Sequence, residues 1–212
     1  MSDLKIIPVK YGESVLSEAL IVQGGNANEF CHIPFIIYVI KTAGKTILAD
    51  AGCVTMPGFE MKNFIGSVGA LENSGIFPNE VTDVIITHAH HDHIECVKKF
   101  ENAVIHIQKD EYEMGKNYIP EGFKINIFAE QYSVCDGVKV VKVGGHSKGS
   151  CVIEINENDH VTVIVGDECY SRRCIMQKIP TGSSFCMQKS KEFIEKYSDC
   201  KYKLLFCHDE IL

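Results

Sequence analysis

The sequence predicts one α/β domain in which sheets pack together and helices cover them. Three observations carry this. Short apolar, β-branched runs recur along the chain, each bounded by Gly, Asn, Asp or Pro. Between them lie a few stretches with apolar residues at helical spacing. No linker, internal repeat or low-complexity tract divides the 212 residues, so the reading is a single domain over 1–212.

The first expected strands are Lys5–Val9 and Ala19–Gln23. Pro34–Lys41 and Thr46–Ala49 follow, joined by Thr42-Ala43-Gly44-Lys45, which reads as a hairpin turn. Val84–Thr87, Val104–Gln108, Val138–Val143, Cys151–Ile155, Val161–Val165 and Lys203–Cys207 complete the strands. Helices are expected at Gly58–Ser74, Ile94–Phe100, Lys109–Lys116 and Cys186–Ser198. In the last of these Phe193, Ile194 and Tyr197 share a face while Lys189, Lys191 and Glu195 point to water.

Composition narrows the function classes. Hydrophobic residues make up 45% and charged residues 23%, a globular balance. The net charge is -7, from 21 basic and 28 acidic residues, and no Lys/Arg run exceeds two. A phosphate-tracking nucleic-acid surface is disfavoured. Ten cysteines lack CxxC spacing, and Cys151, Cys169 and Cys207 sit inside apolar runs. With no secretory signal at Met1-Ser2-Asp3-Leu4-Lys5, they read as reduced, small hydrophobes in a cytoplasmic protein. The longest apolar stretch, Ile33–Ile40, is a strand and too short to span a membrane.

The informative segment is Thr87-His88-Ala89-His90-His91-Asp92-His93, which holds four of the nine histidines. Alternation along an extended chain places His88 and His90 on one side, able to grip one ion together. Asp92 and His93 come after the chain turns and can face a second ion. Imidazole with carboxylate suits zinc, and also iron or manganese. A solvated His-rich loop is the competing reading. It does not account for His146, Asp167 and His208, each placed just beyond an expected strand, as α/β folds assemble sites on one sheet edge. His91 occupies the position between ligands and is expected to point away. His32 near a strand start, His106 inside a strand and His160 in the polar turn Asn156-Glu157-Asn158-Asp159 read as core or surface residues.

The pattern HxHxDH, then a His in a Gly-rich loop, an Asp after a strand and a final His, resembles the metallo-β-lactamase superfamily. Asp50-Ala51-Gly52 looks like its early DxG element, whose aspartate supports the metal ligands from behind. The resemblance implies a four-layer αββα sandwich and two divalent metal ions, zinc first, with iron or manganese as alternatives. One ion would take His88, His90 and His146, the other Asp92, His93 and His208, and Asp167 would bridge them. His90 stands where redox members of the flavodiiron type carry Glu, which favours hydrolysis over electron transfer.

Within the superfamily the chain is most similar in motif to N-acyl-homoserine lactone lactonases. Ile33-Pro34-Phe35 leading to Asp50-Ala51-Gly52, the passage Ile107–Glu113, and Gly166-Asp167-Glu168-Cys169-Tyr170 carry that likeness. In those enzymes the tyrosine matching Tyr170 hydrogen-bonds the substrate carbonyl; an ordinary packed aromatic is the other reading. The sequence departs at Ile94-Glu95-Cys96, at the Gly144–Gly149 loop and at Cys207, and the segments 53–74 and 115–125 look short. The implied chemistry is attack on a carbonyl ester by a water shared between the ions, its pKa lowered to about 7. Asp92 would pass a proton to the leaving group, and Tyr170 would help hold the oxyanion. No Gly-x-Ser-x-Gly elbow is present. Alternatives are a glyoxalase II-like thioesterase, disfavoured because only four residues follow His208, and a metal-holding sensor without turnover. The expected partner is a small-molecule substrate, with no nucleic acid and no membrane, and the chain a monomer or homodimer.

Overall fold

The computed structural model describes residues 4–42, 44–157 and 160–210. Ala43 of the expected hairpin turn, Asn158 and Asp159 of the polar turn, Met1-Ser2-Asp3 of the N-terminal reading, and the last two residues lie outside them. The chain forms two compact units, Met1–Glu13 with Phe35–Ala129, and Ser14–Pro34 with Glu130–Leu212. Two sheets and several helices make a mixed α/β architecture, as expected. No helix among the described residues is long and apolar enough to cross a membrane.

The first unit holds a sheet in the order β1 (Lys5–Ser17), β2 (Phe30–Thr42), β3 (Lys45–Ala49), β4 (Asp83–Ile86), β5 (Val104–Gln108) and β6 (Lys124–Phe128). The unit boundaries fall within β1 and β2. Strands β2 and β3 form an antiparallel hairpin with Thr42 opposite Lys45. From β3 to β6 all neighbours are parallel: Ala49 lies opposite Ile85, Ile86 opposite Ile107, and Gln108 opposite Phe128. Their C-terminal ends therefore share one edge, and the segments after β3, β4 and β5 emerge there together. Val39, Ile47, Leu48, Val84, Ile85, Ile86 and Ile105 are fully buried, which fits parallel strands covered on both faces.

At the opposite end of these strands Asp83 opens β4. Its carboxylate accepts from Lys45 Nζ at 2.7 Å, His106 Nε2 at 2.9 Å and Thr82 Oγ1 at 2.7 Å. Asn126 Nδ2 lies 3.2 Å from His106 Nδ1. Burial pushes the Asp83 carboxyl up, but the hydrogen bonds from His106, Lys45 and Thr82 outweigh it and hold the group at about 2.

Helices of this unit are α2 (Ser67–Asn73), α3 (His91–Ile94) and α4 (Lys109–Gly115). The helix expected over Gly58–Ser74 is confined to α2. Pro57-Gly58 and Gly66, whose φ of 72° an L side chain resists, break the segment before Ser67. The helix expected at Ile94–Phe100 starts earlier, as α3, and continues as a 3-10 turn over Glu95–Lys99. Strand β6 escaped the reading because its alternation is short and half wet.

The second unit carries the sheet β11 (Tyr202–Leu205), β10 (His160–Ile164), β9 (Cys151–Glu157), β8 (Val138–Lys142) and β7 (Gln131–Cys135). Strand β9 is antiparallel to both β8 and β10, while β10 and β11 are parallel. Lys142 faces Cys151, and Ile164 faces both Ile153 and Leu205. Strands β8, β10 and β11 thus end at a common edge. Ala19–Gln23, expected as a strand, instead includes most of the short helix α1 (Glu18–Ile21), where Ala19 and Leu20 favour a helical turn. His160 opens β10 rather than sitting in a turn, since Val161, Thr162 and Val163 extend the β-branched run up to it. Helix α5 (Arg172–Gln177) was not expected; Ser171 caps it by accepting from Arg173 N at 3.2 Å.

Helix α6 (Met187–Tyr197) repeats buried residues at Ser190, Phe193, Ile194 and Tyr197, spacing that puts them on one face. Phe193, Ile194 and Tyr197 pack with Val152, Val163, Val165, Cys169 and Phe206 as the core of this unit.

Candidate functional site

In the first unit the segment after β4 turns directly into α3. His88 and His90 precede the helix, and Asp92 and His93 fall within it. His88 Nε2 lies 3.0 Å from His90 Nδ1, and His93 Nε2 lies 3.5 Å from Asp92 Oδ2. The rings of His88 and His93 are 4.0 Å apart. All four side chains are brought together.

What holds them is largely Asp50, buried at the end of β3. One carboxylate oxygen accepts from Thr87 N at 2.7 Å, the other from Thr87 Oγ1 and from His93 Nδ1, both at 2.8 Å. With Nδ1 so occupied, His93 presents Nε2. Ala51 N donates to His93 O at 2.8 Å, locking the two segments by backbone as well. Gly52 follows with φ 68°, and a Cβ there would lie 2.3 Å from Ser67 Cβ, so only glycine fits the turn. Asp50 itself has φ 65°, a conformation uncommon for a residue with a side chain, retained where its carboxylate has three donors to satisfy.

Two supports were not assigned by the sequence reading. Glu111 in α4 is fully buried and accepts from Ala89 N at 2.8 Å, between the first two histidines. Tyr11 donates from its hydroxyl to Asp92 O at 2.9 Å. A buried acid in the expected strand-to-helix passage was the available signal for the first; nothing local marked the second. His91 turns its ring to Thr55 O, 2.9 Å from Nε2, and to the Tyr118 hydroxyl, 3.2 Å from Nδ1.

In the second unit His146 follows β8, Asp167 follows β10 and His208 follows β11. His146 Nε2 lies 3.5 Å from Asp167 Oδ2, and His208 Nε2 lies 3.2 Å from Asp167 Oδ1. The outer nitrogens are again engaged: His146 Nδ1 with Ser183 O at 2.8 Å, and His208 Nδ1 with Pro34 O at 3.1 Å. Tyr170 stacks on His208 at 5.3 Å and 24°, and meets the edge of His146 at 5.8 Å. Asp209 accepts from Arg172 N at 2.7 Å and Arg172 Nε at 3.0 Å, tying the segment after Tyr170 to the segment carrying His208.

Glu168, next to Asp167, is fully buried and points under the loop that carries His146. Its Oε1 accepts from Gly145 N at 3.1 Å and from the Ser150 hydroxyl. Burial pushes its carboxyl up to about 7, against the pull of those hydrogen bonds.

The donor sets fit a divalent ion. Two ligand atoms each about 2.0–2.1 Å from a tetrahedral ion lie about 3.3 Å apart. The four ligand-atom pairs above fall between 3.0 and 3.5 Å. Nitrogens of His93, His146 and His208, buried and each engaged from behind by an acceptor, together with carboxylates, are donors suited to zinc and its neighbours.

Comparison with known proteins agrees with this chemistry. The profile of the Metallo-beta-lactamase superfamily matches residues 37–207. A probable metallo-hydrolase of Methanocaldococcus jannaschii is 27% identical over 153 residues, 72% of this chain and 68% of its own. The N-acyl homoserine lactonase of Bacillus thuringiensis is 23% identical over 237 residues, covering 99% of this chain and 94% of the relative. Among solved structures, an N-acyl homoserine lactone hydrolase with N-hexanoyl-L-homoserine at its catalytic metal centre superposes with a TM-score of 0.84. It is 21% identical and covers 97% of this chain and 93% of that one.

Proposed function

We propose, from the premise that the chain belongs to the metallo-β-lactamase superfamily, that it is a binuclear metal-dependent hydrolase of a carboxylic ester. The substrate class proposed is a lactone of the N-acyl-homoserine type. Residues 1–212 work as one metallo-β-lactamase-like domain, in keeping with a family match that runs through most of both units. His88, His90 and His146 would hold one ion and Asp92, His93 and His208 the other, with Asp167 available to both. Zinc fits the donors best, and iron or manganese would also be accepted. The enzyme acts in the cytoplasm, as a monomer or homodimer, on a small molecule.

Two divalent ions, when bound, supply a water of lowered pKa and Lewis acidity toward a carbonyl oxygen. The chain does the rest. Asp50, Ser183 O and Pro34 O fix three histidines so that Nε2 faces inward. Asp92, half-buried and 3.5 Å from His93, carries the proton that the leaving alkoxide needs. Tyr170 directs its phenol at the substrate carbonyl. The observation that carries the lactone reading is its ring, stacked on His208 and edge-on to His146, which puts Tyr170 beside the proposed ligands. The likeness to the N-acyl homoserine lactonase of Bacillus thuringiensis over nearly the whole chain supports it.

The test is acid release, followed with a pH indicator, from N-hexanoyl- and N-decanoyl-homoserine lactone and from S-lactoylglutathione. Lactone turnover that chelation abolishes and Tyr170→Phe lowers by about 10²-fold is expected. Turnover of the thioester alone would replace the lactone with a thioester. Silence on all substrates by zinc-loaded protein would overturn the hydrolase reading.

A further inference from the structure

We propose that Glu168 is a positioning residue for the metal ligands, joining the turn that carries Asp167 to the loop that carries His146. The proposal rests on the metal-dependent reading above and concerns a residue outside the ligand set. Asp167 and Glu168 are consecutive in one 3-10 turn, Gly166–Glu168. Asp167 faces the histidines while Glu168 runs beneath the His146 loop. There its Oε1 accepts from Gly145 N, one residue before the ligand, and from the hydroxyl of Ser150, four residues after it. Ser150 Oγ in turn accepts from Ser147 N at 3.0 Å, so the loop is held on both sides of His146.

The other face of the loop is fixed as well. Gly145 O accepts from Cys186 N at 2.9 Å and from Ser184 Oγ at 3.2 Å, and Ser184 meets Ser190 of α6 at 2.7 Å. Position 145 has no room to spare: a Cβ there would stand 2.3 Å from Glu168 Oε2 and 2.6 Å from Ser190 Oγ. Glu168 Oε2 has no hydrogen-bond partner among the described residues. A buried carboxylate with half its acceptor capacity unused is costly to keep for packing alone. Its return is geometric. The backbone on which His146 rides is pinned to the backbone on which Asp167 rides, so Glu168 contributes to setting the 3.5 Å separation of their ligand atoms.

Zinc binding without substrate tests this. Apo protein is titrated against a chromophoric chelator, and the Co²⁺ form is examined by visible absorption. Glu168→Ala is expected to weaken zinc binding about 10–100-fold and to alter the Co²⁺ ligand-field bands. Glu168→Gln, which keeps an acceptor oxygen for Gly145 N, is expected to stay near wild type. Val163→Ala, a core substitution in the same unit, is expected to lower Tm and leave zinc affinity unchanged, separating positioning from general destabilisation. Wild-type affinity and spectrum in Glu168→Ala, or an equal loss in Val163→Ala, would overturn the proposal. If Glu168→Ala does not fold, Ser150→Ala removes a donor to the same carboxylate; a several-fold loss is expected there, and none would overturn it. Wild-type protein that binds no zinc brings down the metal-dependent reading and this proposal together. Zinc binding without lactone turnover touches only the substrate.

Discussion

Asp50 shows how much one side chain can organise. Its carboxylate satisfies Thr87 twice and His93 once, and so fixes both the start of the His88–His93 segment and the ring of His93 within it. Asp50→Ala is expected to lower zinc affinity about 10–100-fold, read by chelator competition; unchanged affinity would remove its supporting role. Asp92 is a different case, because the proposed reaction needs it as a proton carrier as well as a ligand. Asp92→Asn, titrated to full zinc occupancy, is expected to cut kcat by about 10²–10⁴-fold. Wild-type kcat in that variant would leave Asp92 without its catalytic role. At this scale the clustering of His88, His90, Asp92 and His93 was legible in the sequence, and so was the support of His93 by Asp50. Glu111, Tyr11 and Glu168 were not, because nothing in a sequence records which distant backbone group a buried side chain will meet.

At the scale of elements, the strands with long β-branched runs could be read directly. Strands β4, β5, β9 and β10 lie within a few residues of expectation because a buried strand needs an apolar run and little else. Strands β6 and β7 were missed since both are short and partly exposed. The segment 58–66 was mistaken for helix because its apolar residues, Phe59, Met61, Phe64 and Ile65, mimic helical spacing, while Pro57 and Gly66 decide the outcome. Strand β1 runs on to Ser17 past Pro8 and Gly12, which its edge position tolerates. Helix α6 is the element whose amphipathic pattern and packing agree best. Phe193→Ala there is expected to cost about 3–5 kcal/mol in urea unfolding, and a loss below about 1 kcal/mol would mean that the helix is not anchored by that ring.

For the whole molecule, the proposed ligands come from four strand ends and tie distant parts of the chain to the same ions. Binding that favours the folded state must then raise stability by mass action. Zinc at a hundredfold excess over Kd adds about 2.7 kcal/mol, a rise in Tm of about 5–10 °C for a chain of this size. Tm values that ignore both zinc and a chelator would contradict a metal-holding fold. Protons act elsewhere. Asp83 is held at about 2, below its ordinary value near 3.8, so its contribution is complete above about pH 5 and fades as pH falls towards and through 2. Urea unfolding of Asp83→Asn is expected to trail wild type by on the order of 2 kcal/mol at neutral pH. The gap should close progressively below about pH 5, and a gap that persisted undiminished would remove the charge from the explanation.

Strand β4 has Asp83 at its first position and hands over to Thr87 and His88 immediately after its last. At about 3.3 Å per residue, Asp83 stands roughly 13–16 Å from Thr87 and His88, beyond the range over which energetic effects usually couple. A single short strand therefore has a beginning governed by acidity and an end governed by ions. Mapped by hydrogen exchange at neutral pH, Asp83→Asn should release the amides around Thr82 and Lys45, and chelation those around Thr87 to His93. The two perturbations would sum independently, giving the protein orthogonal controls over opposite margins of one sheet.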